Sequence, residues 1–383
     1  MSQETTDASP VAAHPEAPAV GATETSAADT VGTTRRGFLT TTALGVAAVT
    51  MGVPPDAKAT TVGGRGQVLR VHHSGATTDI IKTNDDVVKT MVDKALLEFT
   101  GEATIAAAMG HFVQKTDLVG IKINTLGSPY SSVNPATAFA IADAVHAAGV
   151  PKTKIIIYDQ YQSRMKTGGF RVLGPGGKAR SGQYPVHYHK TLGYEEEETP
   201  VEGRDRRDRE TKARFAKIAR QVTAVINVCV PKDHDLTGVT GALKNVAYGN
   251  VETVPHFHCS REKCKPVCFH DGKCNIPRVY SHPDLGGKVK LIICDALRVL
   301  YNGGPQDKRF RVAHNEIAIT TDPVAMDRVI LEWVEDIRKE KGMDSVWESR
   351  GGTRAPRFIE GAVKMGLGEG DLAKITQKRI SIG

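Results

Sequence analysis

The sequence predicts an α/β fold, in which an open, mostly parallel sheet is flanked by helices and carries a Cys- and His-rich loop excursion. Short apolar runs typical of buried strands alternate with segments whose apolar residues recur at helical spacing. Such alternation favours parallel strands joined by crossover helices. The chain has 383 residues, of which 40% are hydrophobic, and is therefore long enough to bury a sizeable core.

The first half of the chain contains regular predicted elements. The segment at 134–149 has the clearest local signals, because Asn134 can cap a helix, Pro135 suits its first turn and Gly149 can end it. In chain order the predictions are a strand at 67–72, helices at 84–99 and 104–112, a strand at 117–124, a helix at 134–149 and a strand at 154–160.

Residues 161–222 follow a less regular pattern. The glycine-rich stretch 168–185 predicts a loop, and the densely charged stretch 195–214 predicts a solvated, partly helical excursion. Beyond them the predictions are a strand at 223–232, a glycine-broken turn and helix at 237–250, a strand at 288–295, a strand and a long helix at 315–342, a helix at 356–365 and an edge strand at 375–382.

The first 59 residues differ in composition from the rest of the chain. Residues 1–34 lack Phe, Ile, Leu, Tyr and Trp, so we expect them to be disordered. Arg35 and Arg36 then precede a weakly apolar run and a small-x-small cleavage signature at 57–59, and together these features resemble a twin-arginine secretory signal. We therefore expect an exported protein, periplasmic or extracellular, whose mature part at 60–383 is a single domain.

The signal and the charge of the chain limit its possible partners. The apolar run is shorter than the roughly 20 residues of a membrane helix, so we expect the twin-arginine translocase as an export partner but no stable membrane span. Residues 1–59 hold three basic and six acidic side chains, and their removal raises the formal net charge from +7 to +10. A basic surface favours an anionic ligand. We find no nucleic-acid-binding motif and expect no nucleic acid partner.

Polar side chains follow most of the predicted strands, at the edge where an open parallel sheet binds its ligands. We expect them to share one cleft, although scattered caps or a buried polar network would give the same pattern. The sequence carries no dinucleotide-binding, P-loop, serine-hydrolase or zinc-protease motif. The polar strand ends are Lys122, Asn124, Asp159, Lys232, Asp233, His234, Asp295 and Asp322.

These strand ends lie in stretches that resemble the family known as domain of unknown function 362. The similar stretches are VGIKIN, NPATAFAIADAVHAAGVPKTKIIIYDQ, INVCVPKDHDLTGVTGALKNVAYGN, IICDALRVLYNGGPQ and IAITTDPVAMDRVILEWV, within 115–340. The resemblance implies frequent twin-arginine signals and, in some members, fused iron–sulfur ferredoxin modules. Two features depart from it: Ile123 stands where proline is more usual, and no ferredoxin-type cysteine run is present. The family's function is not established.

The most specific similar stretch is a Lys-x-His sequence followed by GVTGALKN. Thr240 and Lys244 are four residues apart, so their side chains face the same way if the stretch is helical. Gly238 and Gly241 would let backbone N–H groups approach an anion closely. The residues that carry the similarity here are Lys232, His234, Gly238, Thr240, Gly241, Lys244 and Asn245.

The polar residues suggest a site for a small anionic ligand. Lys122, Lys232 and Lys244 would supply positive charge for a carboxylate or phosphate. His234 would act as an acid or base near neutral pH, and the strand-end carboxylates would orient it or bind a cation. The predicted catalytic residues are His234, Lys232 and Asp159. The predicted ligand-binding residues are Lys122, Asn124, Thr240, Lys244, Asn245, Asp295 and Asp322.

The stretch HFHCSREKCKPVCFHDGKC, within the predicted insertion at 256–275, holds four of the six cysteines. It is too compact for paired zinc knuckles and matches no standard cluster spacing, but a flexible loop can surround an iron–sulfur cluster or another metal. Two disulfides are the alternative, since disulfides persist outside the cytoplasm. The predicted metal ligands are Cys259, Cys264, Cys268, Cys274, His256 and His258, the two histidines lying on one side if the chain is extended.

Three functional hypotheses follow. The first is an exported metal or iron–sulfur protein that exchanges electrons with a redox partner in the periplasm. The second is a cofactor-independent enzyme for a small anionic ligand, and the third is a binding protein without activity for such a ligand. The remaining cysteines, Cys229 and Cys294, lie in apolar strands, where we expect buried thiols or a cross-strand pair.

Overall fold

The computed structural model describes residues 62–79, 81–204, 210–252, 254–258 and 275–383. Within these ranges the strands, numbered in chain order, are β1 (Gln67–His72), β2 (Val119–Lys122), β3 (Ile155–Asp159), β4 (Val186–Tyr188), β5 (Thr199–Arg204), β6 (Glu210–Ala213), β7 (Ala224–Cys229), β8 (Lys232–His234), β9 (Gly238–Thr240), β10 (Val289–Leu300), β11 (Arg311–Thr320) and β12 (Thr376–Ser381).

Helices precede or follow most of the strands. In the same ranges they are α1 (Asp85–Thr100), α2 (Ile105–Gly110), α3 (Pro135–Ala147), α4 (Gln162–Thr167), α5 (His189–Leu192), α6 (Lys217–Gln221), α7 (Ala242–Ala247), α8 (Val254–Phe257), α9 (Asn275–Tyr280), α10 (Pro323–Glu340) and α11 (Phe358–Lys364).

One mixed, mostly parallel sheet organises the fold and confirms the predicted α/β class. The strands lie in the order β12-β1-β11-β10-β7-β2-β3-β4. Strands β10, β7, β2, β3 and β4 are parallel to one another, and β1 is parallel to β12, whereas β11 runs antiparallel to its neighbours β1 and β10. The short antiparallel pair β8–β9 joins the far end of β10, where Leu300 pairs with Lys232.

The sheet is covered on both faces by helices. Neighbouring residues of a strand point to opposite faces, so Ile292 and Cys294 pack into one apolar cluster and Ile293 packs into another. The first cluster includes residues of α7, α10 and α11, and the second includes residues of α1, α2 and α3. This two-sided burial explains why the central strands read as continuous apolar runs.

The local helix signals of the sequence are confirmed. The side chain of Asn134 accepts a hydrogen bond from the Ala136 N–H at 2.9 Å, and Pro135 begins α3. Gly149 has φ +99°, which glycine adopts without steric cost. Residues 375–382 also behave as predicted, because β12 lies at the edge of the sheet and pairs with β1.

The charged stretch at 195–214 differs from its prediction. It contains the antiparallel strands β5 and β6 rather than a helix, with Thr199 opposite Ala213. Val201 and Ala213 are both buried. Apolar residues on one side of a hairpin need a period of two, and the dense charge of the surrounding residues concealed that period.

The described part of the chain contains no helix of the length and apolarity needed to cross a membrane. The signal at 35–59 and most of the insertion at 256–275 lie outside the described residues. Their predictions therefore remain predictions, as does the domain boundary at residue 60.

Candidate functional site

A pocket of about 460 Å³ lies beyond the carboxyl ends of β2, β3 and β7, and α7 forms part of its wall. This is the edge of the sheet at which the sequence predicted a site. Among the side chains that line it are Lys122, Asn124, Asp159, Arg164, Lys232, His234, Thr240, Lys244, Asn245, Tyr248 and His258.

A buried ion pair forms the floor of the pocket. Lys122 Nζ lies 2.7 Å from Asp159 Oδ1, and the two side chains are 1% and 8% exposed. The same ammonium donates to the Ile123 carbonyl oxygen, and Thr125 donates its N–H and its hydroxyl to Asp159 Oδ2. Burial alone would raise the pKa of Asp159, but the charge and hydrogen bonds of its partners lower it. Asp159 is therefore a carboxylate at neutral pH.

Asn245 fixes this ion pair relative to helix α7. Its Oδ1 accepts from Lys122 Nζ at 3.2 Å, and its Nδ2 lies within hydrogen-bond distance of the Lys122 carbonyl oxygen and Asn227 Oδ1. Asn227 in turn donates to the Ala242 carbonyl oxygen. The asparagines thus join β2 and β7 to α7, and Asn227 had no signal in the sequence because it lies inside an apolar strand.

Lys232 organises the loop that follows β2. Its ammonium donates to Asn124 Oδ1 at 2.7 Å, to the Ser131 carbonyl oxygen at 2.9 Å and to the Leu126 carbonyl oxygen. Burial lowers the pKa of Lys232 to about 7. The three oxygens can accept all the N–H bonds of an ammonium, so they favour the charged form and oppose the effect of burial.

His234 and Lys244 form a close pair on the opposite wall. Lys244 Nζ lies 2.6 Å from His234 Nε2, and the Leu236 N–H donates to His234 Nδ1 at 3.1 Å. Burial, followed by the positive charge of Lys244, holds the pKa of His234 well below its usual range. His234 is therefore neutral at pH 7, as a group that must accept or pass on a proton needs to be.

His258 extends this wall. Its ring stacks on that of His234, with centroids 5.4 Å apart and planes 5° apart, and meets the ring of Tyr248 edge-on. His258 Nδ1 lies 3.1 Å from the Val254 carbonyl oxygen, to which it donates. In its neutral form the His258 ring would therefore carry its lone pair on Nε2.

The strand β8 explains why Lys232 and His234 share the pocket and Asp233 does not. Alternate residues of a strand point to opposite sides. Asp233 points away from the pocket, where Arg354 donates to its Oδ1 at 2.6 Å and the Gly304 N–H donates to its Oδ2. Burial raises the pKa of Asp233, and Arg354 opposes the shift. Arg354 is 121 residues away in sequence, and sequence reasoning did not identify it.

The glycines of GVTGALKN approach the protein's own groups rather than a ligand. A Cβ on Gly238, which has φ +75°, would meet the Arg354 carbonyl oxygen at 2.6 Å, and one on Gly241 would overlap Asp327. The carboxylate of Asp327 accepts the N–H groups at the start of α7. The backbone N–H groups that were expected to bind an anionic ligand here are therefore bound by the side chain of Asp327 instead. Thr240 ends β9 instead of lying on the helix, although it still lines the pocket.

Two predicted ligand-binding residues lie outside the pocket. Asp295 accepts from the Asn134 N–H at 2.7 Å and from the Thr137 hydroxyl at 2.8 Å, at the start of α3. Asp322 caps α10 through the N–H groups of Val324 and Ala325. Capping carboxylates also follow strands, so sequence alone did not separate them from the residues of the cleft.

The predicted cysteine ligands Cys259, Cys264, Cys268 and Cys274 lie outside the described residues. The backbone at Val254–Phe257 is a helical turn, so the extended strand assumed for His256 and His258 is wrong. Within the described part of the chain, no group of three or more His, Cys, Asp or Glu side chains is placed to hold a metal ion. Cys229 and Cys294 are buried free thiols that face each other on β7 and β10.

Three comparisons relate the chain to known proteins, and the family comparison agrees with the sequence resemblance. A solved structure of the lactate racemase apoprotein from Thermoanaerobacterium thermosaccharolyticum is similar with a TM-score of 0.37 and 13% identity, over 70% of this chain and 57% of that one. No curated protein matches the sequence. The model of the family described as domain of unknown function (DUF362) matches residues 119–332, more than half of the chain. The chain therefore belongs to the DUF362 family.

Proposed function

We propose that the pocket binds a small anionic molecule and that His234 and Lys244 transfer a proton at it. The charge of the wall supports the first part. Among the described lining residues four are basic, Lys122, Arg164, Lys232 and Lys244, and Asp159 is the one carboxylate. Because Asp159 is bound to Lys122, an excess of positive charge remains on the wall of the pocket.

The size and chemistry of the pocket restrict the ligand. A volume of about 460 Å³ suits a small molecule rather than a polymer. Arg164 lies at the partly exposed rim, where its Nη2 donates to Gln306 Oε1 at 2.6 Å. A guanidinium in this position suits a carboxylate or phosphate, whose oxygens accept two parallel N–H bonds.

The anion proposal is tested by thermal unfolding of the full chain with malonate and with malonamide, its neutral counterpart. We expect malonate to raise the Tm and malonamide not to, since a ligand at 100 times its Kd stabilises by about 2.7 kcal/mol. Arg164→Gln should weaken the effect. Arg309→Gln is the matched control, because Arg309 is exposed and does not line the pocket. Equal shifts with both compounds, or none with malonate and inorganic phosphate, would refute the proposal.

As a second function we propose that residues 259–274 bind an iron–sulfur cluster or another metal and exchange electrons with a redox partner. His258 supports this, because it precedes Cys259 directly and its Nε2 carries the lone pair of a metal-binding imidazole. Tyr248 and Asn275 both donate to the Phe257 carbonyl oxygen, so the residues that flank the segment are held together beside the pocket. Cysteine thiolates suit zinc and iron–sulfur clusters.

The metal proposal is tested on protein purified without oxygen, by visible spectrum, metal content and thiol count. Bound iron with visible absorption that Cys264→Ala abolishes would support a cluster. Cys229→Ala is the control, because that buried thiol lies in β7, away from the segment. Metal-free protein with at most two reactive thiols after denaturation would indicate disulfides instead.

We also propose that the protein is exported by the twin-arginine translocase. The arginine pair at 35–36, the apolar run and the small residues at 57–59 support this proposal. Replacing both arginines by lysine should retain the protein in the cytoplasm, as measured by cell fractionation. Unchanged export of that variant would contradict it.

A further inference from the structure

A second cavity, of about 350 Å³, lies beside β4, the strand at one edge of the main sheet. Its wall belongs largely to the glycine-rich stretch 168–185, which the sequence predicted as a loop and which the proposed function does not use. None of its described lining residues also lines the first pocket, beyond the ends of β2, β3 and β7. The cavity is therefore a separate candidate site.

The loop that forms this wall is attached to the rest of the fold at two points. The Leu173 N–H donates to the Val186 carbonyl oxygen at 2.8 Å, so this part of the loop runs beside β4. Lys152 Nζ donates to the Gly182 carbonyl oxygen at 3.1 Å and lies 4.9 Å from the ring centroid of Tyr184. The cavity is thus part of the fold rather than a gap in a loosely attached segment.

Two aromatic rings line the cavity. Phe139 on α3 and Tyr184 in the loop stack with centroids 6.4 Å apart and planes 29° apart. Phe139 also meets the buried ring of Phe170, and the Tyr184 hydroxyl donates to Asp143 Oδ1 at 2.6 Å. Both lining rings are held by these contacts and remain partly exposed, so they present aromatic surface to a ligand.

The other lining feature is positive charge. Arg171, Lys178 and Arg180 line the cavity, and the described lining residues include no Asp or Glu. Among the residues that the structure describes, no carboxylate forms an ion pair with any of the three. Their charge therefore attracts an anion, and a guanidinium can hold a carboxylate through two parallel N–H bonds.

We propose that this cavity binds a small aromatic carboxylate, with its ring against Phe139 and Tyr184 and its charged group beside Arg171 and Arg180. The inference does not depend on the anion proposed for the first pocket. A volume of about 350 Å³ is small for a ligand pocket and suits a single ring. Aromatic rings attract one another beyond the area they bury, with centroids about 4.5–7 Å apart.

The test is calorimetric titration of the full chain at pH 7 with benzoate, cyclohexanecarboxylate and benzamide. We expect benzoate to bind with a Kd on the order of 1 mM or below, as is ordinary for so small a molecule. Cyclohexanecarboxylate has the charge without the aromatic ring, and benzamide has the ring without the charge. Each should bind at least about threefold more weakly. No binding of benzoate at about 10 mM, or equal affinity for either comparison compound, would overturn the proposal.

Substitutions locate the bound benzoate. Replacing both Arg171 and Arg180 by Gln should weaken benzoate binding at least about tenfold. Both side chains are exposed, so this double variant should keep its Tm. Arg309→Gln is the matched control, because Arg309 is exposed and lines neither cavity. Unchanged affinity in the double variant would overturn the proposal.

A further comparison separates the two sites. Arg164→Gln, in the first pocket, should leave benzoate binding unchanged, and malonate should not compete with benzoate. Loss of benzoate binding in Arg164→Gln, or competition by malonate, would assign benzoate to the first pocket and overturn the second site. Benzoate binding in a protein that binds no malonate would support the second site although the anion proposal fails.

Discussion

Replacing Asp159 by asparagine removes the carboxylate charge that lies 2.7 Å from Lys122 while leaving the side chain almost the same size. The ammonium of Lys122 is 1% exposed and would lose its counter-charge without gaining water. Breaking a buried pair by removing one partner costs about 3–5 kcal/mol, since the other charge stays buried. The free energy of unfolding of a typical protein is about 5–15 kcal/mol, so we expect Asp159→Asn to remove a large part of it.

The assay is equilibrium unfolding in urea at pH 7, followed by circular dichroism. Asp336→Asn is the matched control, because Asp336 is exposed on α10 and its replacement should change the free energy of unfolding by less than about 0.5 kcal/mol. Adding Lys122→Met to Asp159→Asn removes the unpaired charge and should recover part of the loss. A loss below about 1 kcal/mol for Asp159→Asn, or no recovery in the double variant, would refute this account of the pair.

Further predictions concern pH and packing. Burial alone would raise the pKa of Glu316, but its basic partners lower it. The charged Glu316 side chain therefore stabilises the folded state above about pH 4.5, and this stabilisation is lost as the pH falls further. Glu316→Gln should lower the free energy of unfolding at pH 7 and lower it less at pH 3.5. Burial raises the pKa of Asp327 from 3.8 to about 7, so the folded state takes up a proton. The free energy of unfolding therefore falls as the pH rises between these two values. Asp327→Asn should remove this dependence of the free energy on pH, and an unchanged dependence would contradict the assignment. A Cβ at Gly304 would overlap the Asp233 backbone, so Gly304→Ala should cost about 3 kcal/mol or more in urea unfolding, whereas Gly110→Ala, which meets nothing within 4 Å, should not destabilise.

The fold was largely predictable because its signals are local. Caps such as Asn134 act within one turn, and the apolar period of a strand depends on a few consecutive residues. Strands β5 and β6 were not predicted because their local signal is weak: they are short, and the alternation of their apolar residues is obscured by Glu and Arg. Where the period is brief, tertiary packing rather than local preference decides the structure.

The sequence predicted where the pocket lies in the fold, but only some of the residues that line it. Polar ends of parallel strands meet at one edge, and eight of the ten predicted catalytic and ligand-binding residues line the pocket there. Asp295 and Asp322 were indistinguishable from them, because a carboxylate after a strand serves equally as a helix cap. Contacts between distant segments, such as Arg354 with Asp233, leave no pattern in a single sequence.

Because side chains alternate along β8, two residues that line the pocket are held in place by contacts on the other side of the strand. Lys232 and His234 face the cavity, and Asp233 between them is held from behind by Arg354, in the segment after α10. The described lining residues end at Gln306, yet the backbone that presents two of them is anchored by a residue 48 positions further on. A substitution of Arg354 should therefore shift Lys232 and His234, although Arg354 itself does not line the pocket.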